Sequence, residues 1–350
     1  MPISMNTSFT KQVGITYPII CGPMYPCSNP ELIAAVSEAG GIGIVQPLSL
    51  VYVHGYDIRS GLQKIKSLTK KPFGVNVIVE KSSKRYEDKM KQVIDVALEE
   101  GCRFFITSLG NPKWVVDKAK KFGAIVYHDV ISKKWAEKAI AAGVDGIICV
   151  NNRAGGHAGA LSAKELFEQL RDFNIPLVCA GGIGDENDFV QALKIGYSAV
   201  QMGTRFIATK ECNEKSEYKQ AIITTGEDGI ILTERVTGIP LSVIHTPYVD
   251  KVGTKIGLIS RLLFKYPLTK KWMRLWYAMT ALRQFKRISL YGGSSKDYWQ
   301  AGKSVAHIHA IEPAAAIIER FVKYAKTTNT ECDSKIAVSS CAKIPADRTL

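Results

Sequence analysis

At 350 residues and 46% hydrophobic content, the chain can bury a full core, as one large α/β domain or a domain with an appendage. No stretch reaches the roughly 18 apolar residues that a membrane span needs, and residues 1–14 lack the apolar centre of a secretory leader, so a cytoplasmic protein is expected. The net charge of +14 is uneven: ten cations and no acidic residue fall within 251–287, so the basicity is local and says little about the rest of the chain.

From about residue 15 onward, short apolar runs alternate with amphipathic segments. The apolar runs read as strands at 19–22, 42–45, 73–79, 103–107, 124–128, 146–150, 176–180 and 198–202. Helix-like segments lie between most of them, at 29–39, 86–99, 112–121, 133–142, 163–171 and 186–195. Gly40, Gly101, Gly123, Gly143 and Gly196 each stand between a helix and the next strand, where a left-handed C-terminal cap favours glycine. The strands are continuously apolar rather than alternating, the pattern of a parallel sheet covered on both faces. Eight βα units over about 190 residues predict a (β/α)8 TIM barrel. A doubly wound open sheet fits less well, because no Gly-x-Gly-x-x-Gly follows the first strand.

Residues 207–300 break the rhythm with a charged stretch at 210–219, a turn-rich one at 235–240 and the basic, aromatic segment 251–287. The predicted organisation is a barrel body over 1–206, a mainly helical inserted cap over 207–300 and the last barrel helix within 301–326. That helix is expected at 303–325, with Val305, Ile308, Ile311, Ala315 and Ile318 on its apolar face. The small, polar tail at 327–350 is expected to be disordered.

Eight cysteines, at 21, 27, 102, 149, 179, 212, 332 and 341, include no Cys-x-x-Cys pair. Several sit inside strand-like runs, so they read as buried reduced thiols rather than a zinc site or disulfide framework. Cys21 and Cys27 flank an early Gly-Pro turn, which leaves a reactive thiol as the alternative there.

In a barrel, the loops after the strands' carboxyl ends build the active site, and phosphate commonly sits after strands 7 and 8. Gly181-Gly182 and Gly203-Thr204 occupy those two junctions, where backbone amides and the Thr204 hydroxyl can meet a phosphate. His157, in Gly155-Gly156-His157-Ala158-Gly159 after the sixth strand, has little side-chain bulk around it and can act as a base or hold an anion. Asn76 lies in a buried-type strand and needs a partner there. Gln46 and His128, at predicted strand ends, are further candidates for the mouth, although His128 also reads as a satisfied core histidine. His54 and His245 fall in irregular segments, and His307 and His309 are expected on one helix facing different ways.

The chain resembles the flavin-dependent nitronate monooxygenase (2-nitropropane dioxygenase) family and the related FMN-dependent enoyl-ACP reductases. The likeness rests on Cys21-Gly22-Pro23-Met24, Gly40-Gly41-Ile42-Gly43, Lys71-Pro72-Phe73-Gly74-Val75-Asn76, the loop at 154–159, Ala180-Gly181-Gly182-Ile183, Met202-Gly203-Thr204-Arg205-Phe206 and Trp299-Gln300-Ala301-Gly302. It implies FMN as cofactor, with the ring against Gly22, Pro23 and Met24 and Asn76 at its polar edge. Gly181, Gly182, Gly203 and Thr204 would hold the phosphate, and Gly156 and Ala180 would line the same pocket. His157 would be the catalytic residue, with no metal required.

One position departs from the family pattern: Asn151-Asn152-Arg153-Ala154 stands where an acidic residue is usual before the Gly-Gly-His. Arg153 is therefore a substrate candidate, for an anionic nitronate or an acyl-phosphate handle, and so is His128. The resemblance implies oxidation of alkyl nitronates by oxygen to a carbonyl compound and nitrite. The alternative is an NAD(P)H-dependent FMN reductase acting on enoyl thioesters or quinones.

The basic insertion interleaves its cations with Leu258, Ile259, Leu262, Leu263, Phe264, Trp272, Leu275, Trp276 and Tyr277. It reads either as a cap over the flavin site, as insertions there do in the resembling family, or as an amphipathic segment for a membrane surface or partner. No nucleic-acid motif accompanies the charge, so no nucleic-acid partner is expected. A homodimer is compatible with the sequence.

Overall fold

The eight apolar runs become eight parallel strands, because each carries side chains that need cover on both faces. The computed structural model of the protein describes residues 3–80, 84–263, 266–291 and 298–341. Its strands are β1 (Ile19–Cys21), β2 (Ile42–Val45), β3 (Gly74–Val79), β4 (Phe104–Leu109), β5 (Ile125–Val130), β6 (Gly146–Val150), β7 (Leu177–Ala180) and β8 (Ala199–Met202). They pair in chain order and close on themselves, with Ile20 opposite Ile42 on one side of β1 and Gln201 on the other. The predicted TIM barrel is the observed fold.

Alternation along the strands sorts the core into two layers. Ile20, Ile42, Ile44, Phe104, Ile106, Tyr127, Ile148 and Val178 fill the barrel interior. Their strand neighbours, such as Ile19, Val45, Val77, Phe105, Val126 and Val200, meet the surrounding helices. An N-terminal helix, α1 (Ser8–Val13), sends the fully buried Phe9 into the interior cluster. There Phe9 meets Phe104 and Tyr127 edge-on at centroid distances of 5.8 and 5.5 Å.

The barrel helices are α2 (Pro30–Glu38), α3 (Ile58–Leu68), α4 (Lys84–Glu99), α5 (Lys113–Lys120), α6 (Lys133–Ala141), α7 (Ala163–Leu170) and α8 (Glu186–Ile195). All five glycines expected between helix and strand have positive φ. The sequence pattern had not singled out α3, which buries only Gly61, Leu62 and Ile65 under an otherwise polar surface.

Between β8 and the last helix come α9 (Thr204–Ile207), α10 (Ser216–Thr224), the antiparallel ribbon β9 (Ile230–Thr233) and β10 (Leu241–Ile244), α11 (Pro247–Val252), α12 (Leu258–Leu263) and α13 (Pro267–Tyr291). The turn-rich stretch at 235–240 joins the two ribbon strands. Ribbon and helix share a small core of Val236, Leu241, Val243, Ala281, Phe285 and Tyr298. Phe264 and Lys265 of the basic segment lie outside the described residues. No described helix is long and apolar enough to cross a membrane.

The last helix differs from its predicted span. Residues 303–307 form only a short 3-10 turn, and α14 (Ala314–Cys341) starts after Pro313. Proline has no N–H to continue a helix from the preceding turn and suits a helix start. His307 and His309 therefore do not share a helix: His307 Nδ1 pairs at 2.7 Å with Asp188, a residue of the α8 cap. The expected disordered tail overlaps α14 as far as Cys341, and 342–350 lie outside the described residues.

Arg205, only 1% exposed, anchors this end of the chain. It donates to the carbonyls of Ala208 and Ala310 at 2.8 and 2.7 Å and pairs with Glu312 at 3.5 Å. Glu312 also holds Arg320 of α14. Burial lowers the Arg205 pKa to about 10, which still leaves a full charge at neutral pH.

Candidate active site

The carboxyl ends of β1 and β8 meet through backbone and glycine. Gly22 N–H donates to the Met202 carbonyl at 3.0 Å. A Cβ on Gly22 would lie 2.9 Å from Gln201 Cγ, so only glycine leaves that side chain its place. Gln201, on the inner face of β8, has a buried Oε1 with no partner among the described residues. Pro23 and Met24 continue the turn after β1, with Met24 N–H donating to Ser28 Oγ at 2.9 Å. A Cβ on Gly203 would stand 3.4 Å from the Met24 sulfur.

Asn151 ties the loops after β6 and β7 together. Its Nδ2 donates to the Gly181 carbonyl at 2.9 Å, and its Oδ1 accepts from Arg153 N–H at 2.8 Å. Gly181 has φ +114° and leaves no room for a side chain: a Cβ there would be 2.5 Å from Asn151 Oδ1. Ala180, the last residue of β7, belongs to the barrel's interior cluster. Thr204 is buried, and its Oγ1 accepts from Gly302 N–H at 3.0 Å, which leaves the hydroxyl proton for another acceptor. Among the described residues no backbone carbonyl accepts from the N–H groups of Gly181, Gly182 or Gly203. Unanswered amides and a free hydroxyl proton are the donors a phosphate takes, and the orphaned Gln201 oxygen is an acceptor open to a ligand's N–H.

His157 is held through its neighbour. Gly156, at φ +72°, accepts at its carbonyl from Ser242 N–H of β10 at 2.9 Å. The His157 side chain is exposed, yet desolvation by the surrounding protein pushes its pKa below the ordinary histidine value. It is thus a neutral imidazole on a loop that two strands hold.

Arg153 is matched by charge. Its guanidinium meets Glu227 of the insertion with two contacts of 2.8 Å, and Lys303 stands 3.4 Å from the same carboxylate. Arg153 also lies over Gly182, where a Cβ would be 2.9 Å from Nε. Hydrogen bonding to Arg153 lowers the Glu227 pKa, so both groups remain charged.

His128 does not line the mouth. β5 continues beyond its predicted end to Val130, and alternation puts His128 with Val126 and Val130 on the helix-facing side. Its Nδ1 lies 2.8 Å from Thr107 Oγ1, and burial lowers its pKa to about 4. The inward position belongs to Asp129, beside Tyr127 and Ile125 in the strand pattern. Asp129 Oδ1 is buried without a partner among the described residues, and burial pushes the carboxyl up to about 7. Sequence reading missed Asp129 because it ended the strand two residues early. The signal was the period-two register running on from Tyr127.

Two other polar residues have their needs met by the chain. Asn76 is buried, and its Nδ2 donates to the Ile106 carbonyl at 3.1 Å. Gln46 Oε1 accepts from Ser49 N–H at 2.8 Å, where the chain turns after β2. Cys21, Cys27, Cys102, Cys149, Cys179 and Cys212 are buried. Burial raises the Cys21 and Cys27 pKa values well above the ordinary thiol range, which disfavours the reactive-thiolate alternative.

Comparison with known proteins gives a consistent picture. A family model described as nitronate monooxygenase matches residues 6–323. The chain is similar to the (3aS,4S,5R,7aS)-5-hydroxy-7a-methyl-1-oxo-octahydro-1H-indene-4-carboxyl-CoA dehydrogenase of Rhodococcus jostii, 29% identical over 280 residues, covering 78% of this chain and 77% of that one. A probable nitronate monooxygenase of Staphylococcus saprophyticus is 28% identical over 294 residues, 72% of this chain and 82% of that one. Among solved structures, FabK from Thermotoga maritima superposes with a TM-score of 0.78 at 29% identity, covering 95% of this chain and 100% of that chain. A nitroalkane oxidase from Streptomyces ansochromogenes shares the fold, with a TM-score of 0.76 at 22% identity over 93% of this chain and 99% of that one.

Proposed function

Since the chain belongs to the nitronate monooxygenase family of flavin-dependent oxidoreductases, we propose that it binds FMN at the barrel mouth and oxidises alkyl nitronates with molecular oxygen. Gly22, Pro23, Met24, Asn76, Gly156 and Ala180 would line the ring's pocket, and Gly181, Gly182, Gly203 and Thr204 would take the phosphate. Bound there, FMN would accept electrons from the substrate and pass them to oxygen.

The observation that supports this reading is the neutral imidazole of His157, on a loop held by the Gly156–Ser242 backbone bond. A neutral imidazole can remove the proton from a nitroalkane's α-carbon and then stay as imidazolium next to the nitronate. Asp129, with a pKa of about 7, is partly protonated at neutral pH, and in that form it donates a hydrogen bond to a nitro oxygen without repelling it. The insertion, through Ser242 and Glu227, positions the His157 loop and neutralises Arg153.

A thioester substrate is the second reading, favoured by similarity to the CoA dehydrogenase over more than three quarters of both chains. A carbon α to a thioester carbonyl is also a carbon acid, so His157 would play the same part. The test is anaerobic reduction of the flavin. Bleaching by an alkyl nitronate, followed by oxygen uptake and nitrite release, is the expected result. Bleaching by NADH, NADPH or an acyl-CoA with none by nitronate would replace the first reading with the reductase or dehydrogenase one.

A further inference from the structure

The helix α13 is apolar on two opposite faces. Tyr277, Ala281 and Phe285, spaced four residues apart, are buried, and Ala281 and Phe285 belong to the ribbon core. Half a turn away, Trp272 is 73% exposed and Trp276 53%, and Met279 and Leu290 continue the same outward stripe at helical spacing. Leu262 of α12 and the adjoining Tyr266 are exposed as well. Large side chains that line both sides of a helix belong between two apolar surroundings, and among the described residues only one is supplied.

Charge identifies the other. Arg283 lies within the outward stripe, with Lys286 and Arg287 exposed at its edges. The sequence holds no acidic residue between 251 and 296 to answer them. A symmetric contact with a second copy would set these cations against themselves. Phosphates of a nucleic acid would answer the charge but leave two indoles and a methionine in water. A lipid interface takes tryptophan at the headgroup level, shorter apolar chains below it and cations at anionic headgroups.

We propose that the outward face of α13, with Leu262 and Tyr266, docks on an anionic lipid surface. The docked helix would carry the barrel mouth with it. Its inner face reaches the loop after β1, where Tyr25 Oη donates to the Leu282 carbonyl at 2.9 Å. The loop is the one assigned above to the flavin, so docking would bring the active-site opening close to the bilayer.

The experiment is co-sedimentation of the full chain with phosphatidylcholine vesicles, and with vesicles that also contain phosphatidylglycerol, at low and high salt. Two variants, W272S/W276S and R283E/K286E/R287E, alter exposed side chains only; flavin absorbance and thermal melting confirm that they stay folded. Partitioning to the anionic vesicles is expected, with a fall of roughly tenfold or more for either variant and on raising salt, since each cation at such a surface counts. Sedimentation equal on both lipids, or unchanged in both variants, would overturn the proposal. So would the absence of vesicle binding together with a dimer that W272S/W276S dissociates, or with a bound acidic protein that R283E/K286E/R287E releases.

Discussion

Ser242 N–H donates to the Gly156 carbonyl at 2.9 Å, so a ribbon in the insertion holds the residue next to His157. The His157 loop is thus fastened from above by β10 and from below by Asn151, just after β6, and neither fastening uses the imidazole.

His157→Ala should retain flavin and lower kcat/KM for a neutral nitroalkane by about 10²–10⁴. A preformed nitronate needs no proton removed, and its turnover should suffer far less. Burial lowers the His157 pKa, so the base form persists as pH falls through the ordinary histidine range near 6.5, and activity should drop only below it. The variant's nitroalkane profile should lack that limb. Stopped-flow reduction across pH measures both.

Asp129→Asn should separate function from stability. The Asp129 pKa is raised by burial to about 7 in the folded protein, against about 3.9 unfolded, so the folded state holds this proton more tightly. The charged form therefore costs stability, a cost that is absent below the unfolded pKa and grows until pH passes about 7. The variant should melt higher than wild type at pH 8, by roughly 1–3 kcal/mol, and equally at low pH. Its substrate KM should rise while bound flavin is unchanged.

Gly181→Ala should weaken flavin binding at least tenfold by fluorescence titration. The methyl would meet Asn151 Oδ1 at 2.5 Å and the backbone of Ala154 at 2.6 Å, in a conformation, φ +114°, that alanine avoids. Relief would displace the β6 and β7 loops together, so His157 function should decline in parallel.

Arg153→Ala should have a small effect on anionic substrates, a change in KM of about threefold or less. Its charge is already paired with Glu227 in a half-exposed contact, and such pairs contribute about 0–1 kcal/mol. A large loss of affinity would mean that substrate displaces Glu227. Glu227→Gln, which frees the guanidinium, should instead improve binding of anions, as isothermal titration with a nitronate analogue would show.

The barrel was legible because continuous apolar runs, cap glycines and their spacing all express one demand, a parallel sheet covered on both sides. The glycine turn after β7 was legible for a related reason, since Gly181 and Gly182 stand where a Cβ has no room. Facing was harder to read. His128 and Asp129 are adjacent and both polar, and which of them looks inward depends on a register that runs two residues past the apparent strand end. The helix-facing pocket that satisfies His128 comes from Thr107, twenty-one residues away in sequence, which local patterns do not report. Arg153 was read as a substrate candidate because its partner, Glu227, belongs to the insertion. Pro313 was the local signal that the last helix starts after it, and the long apolar face of 305–318 concealed it.

Thr204 and Arg205 are consecutive, and both reach far along the chain: Thr204 to Gly302, Arg205 to Ala310 and Glu312. Residues 302–312 must therefore be in place before the turn after β8 has its shape. During synthesis the eight strands can all have left the ribosome while this turn is still unformed. On the proposed function, cofactor capture would then be a closing event in the protein's biogenesis and would not guide the earlier stages.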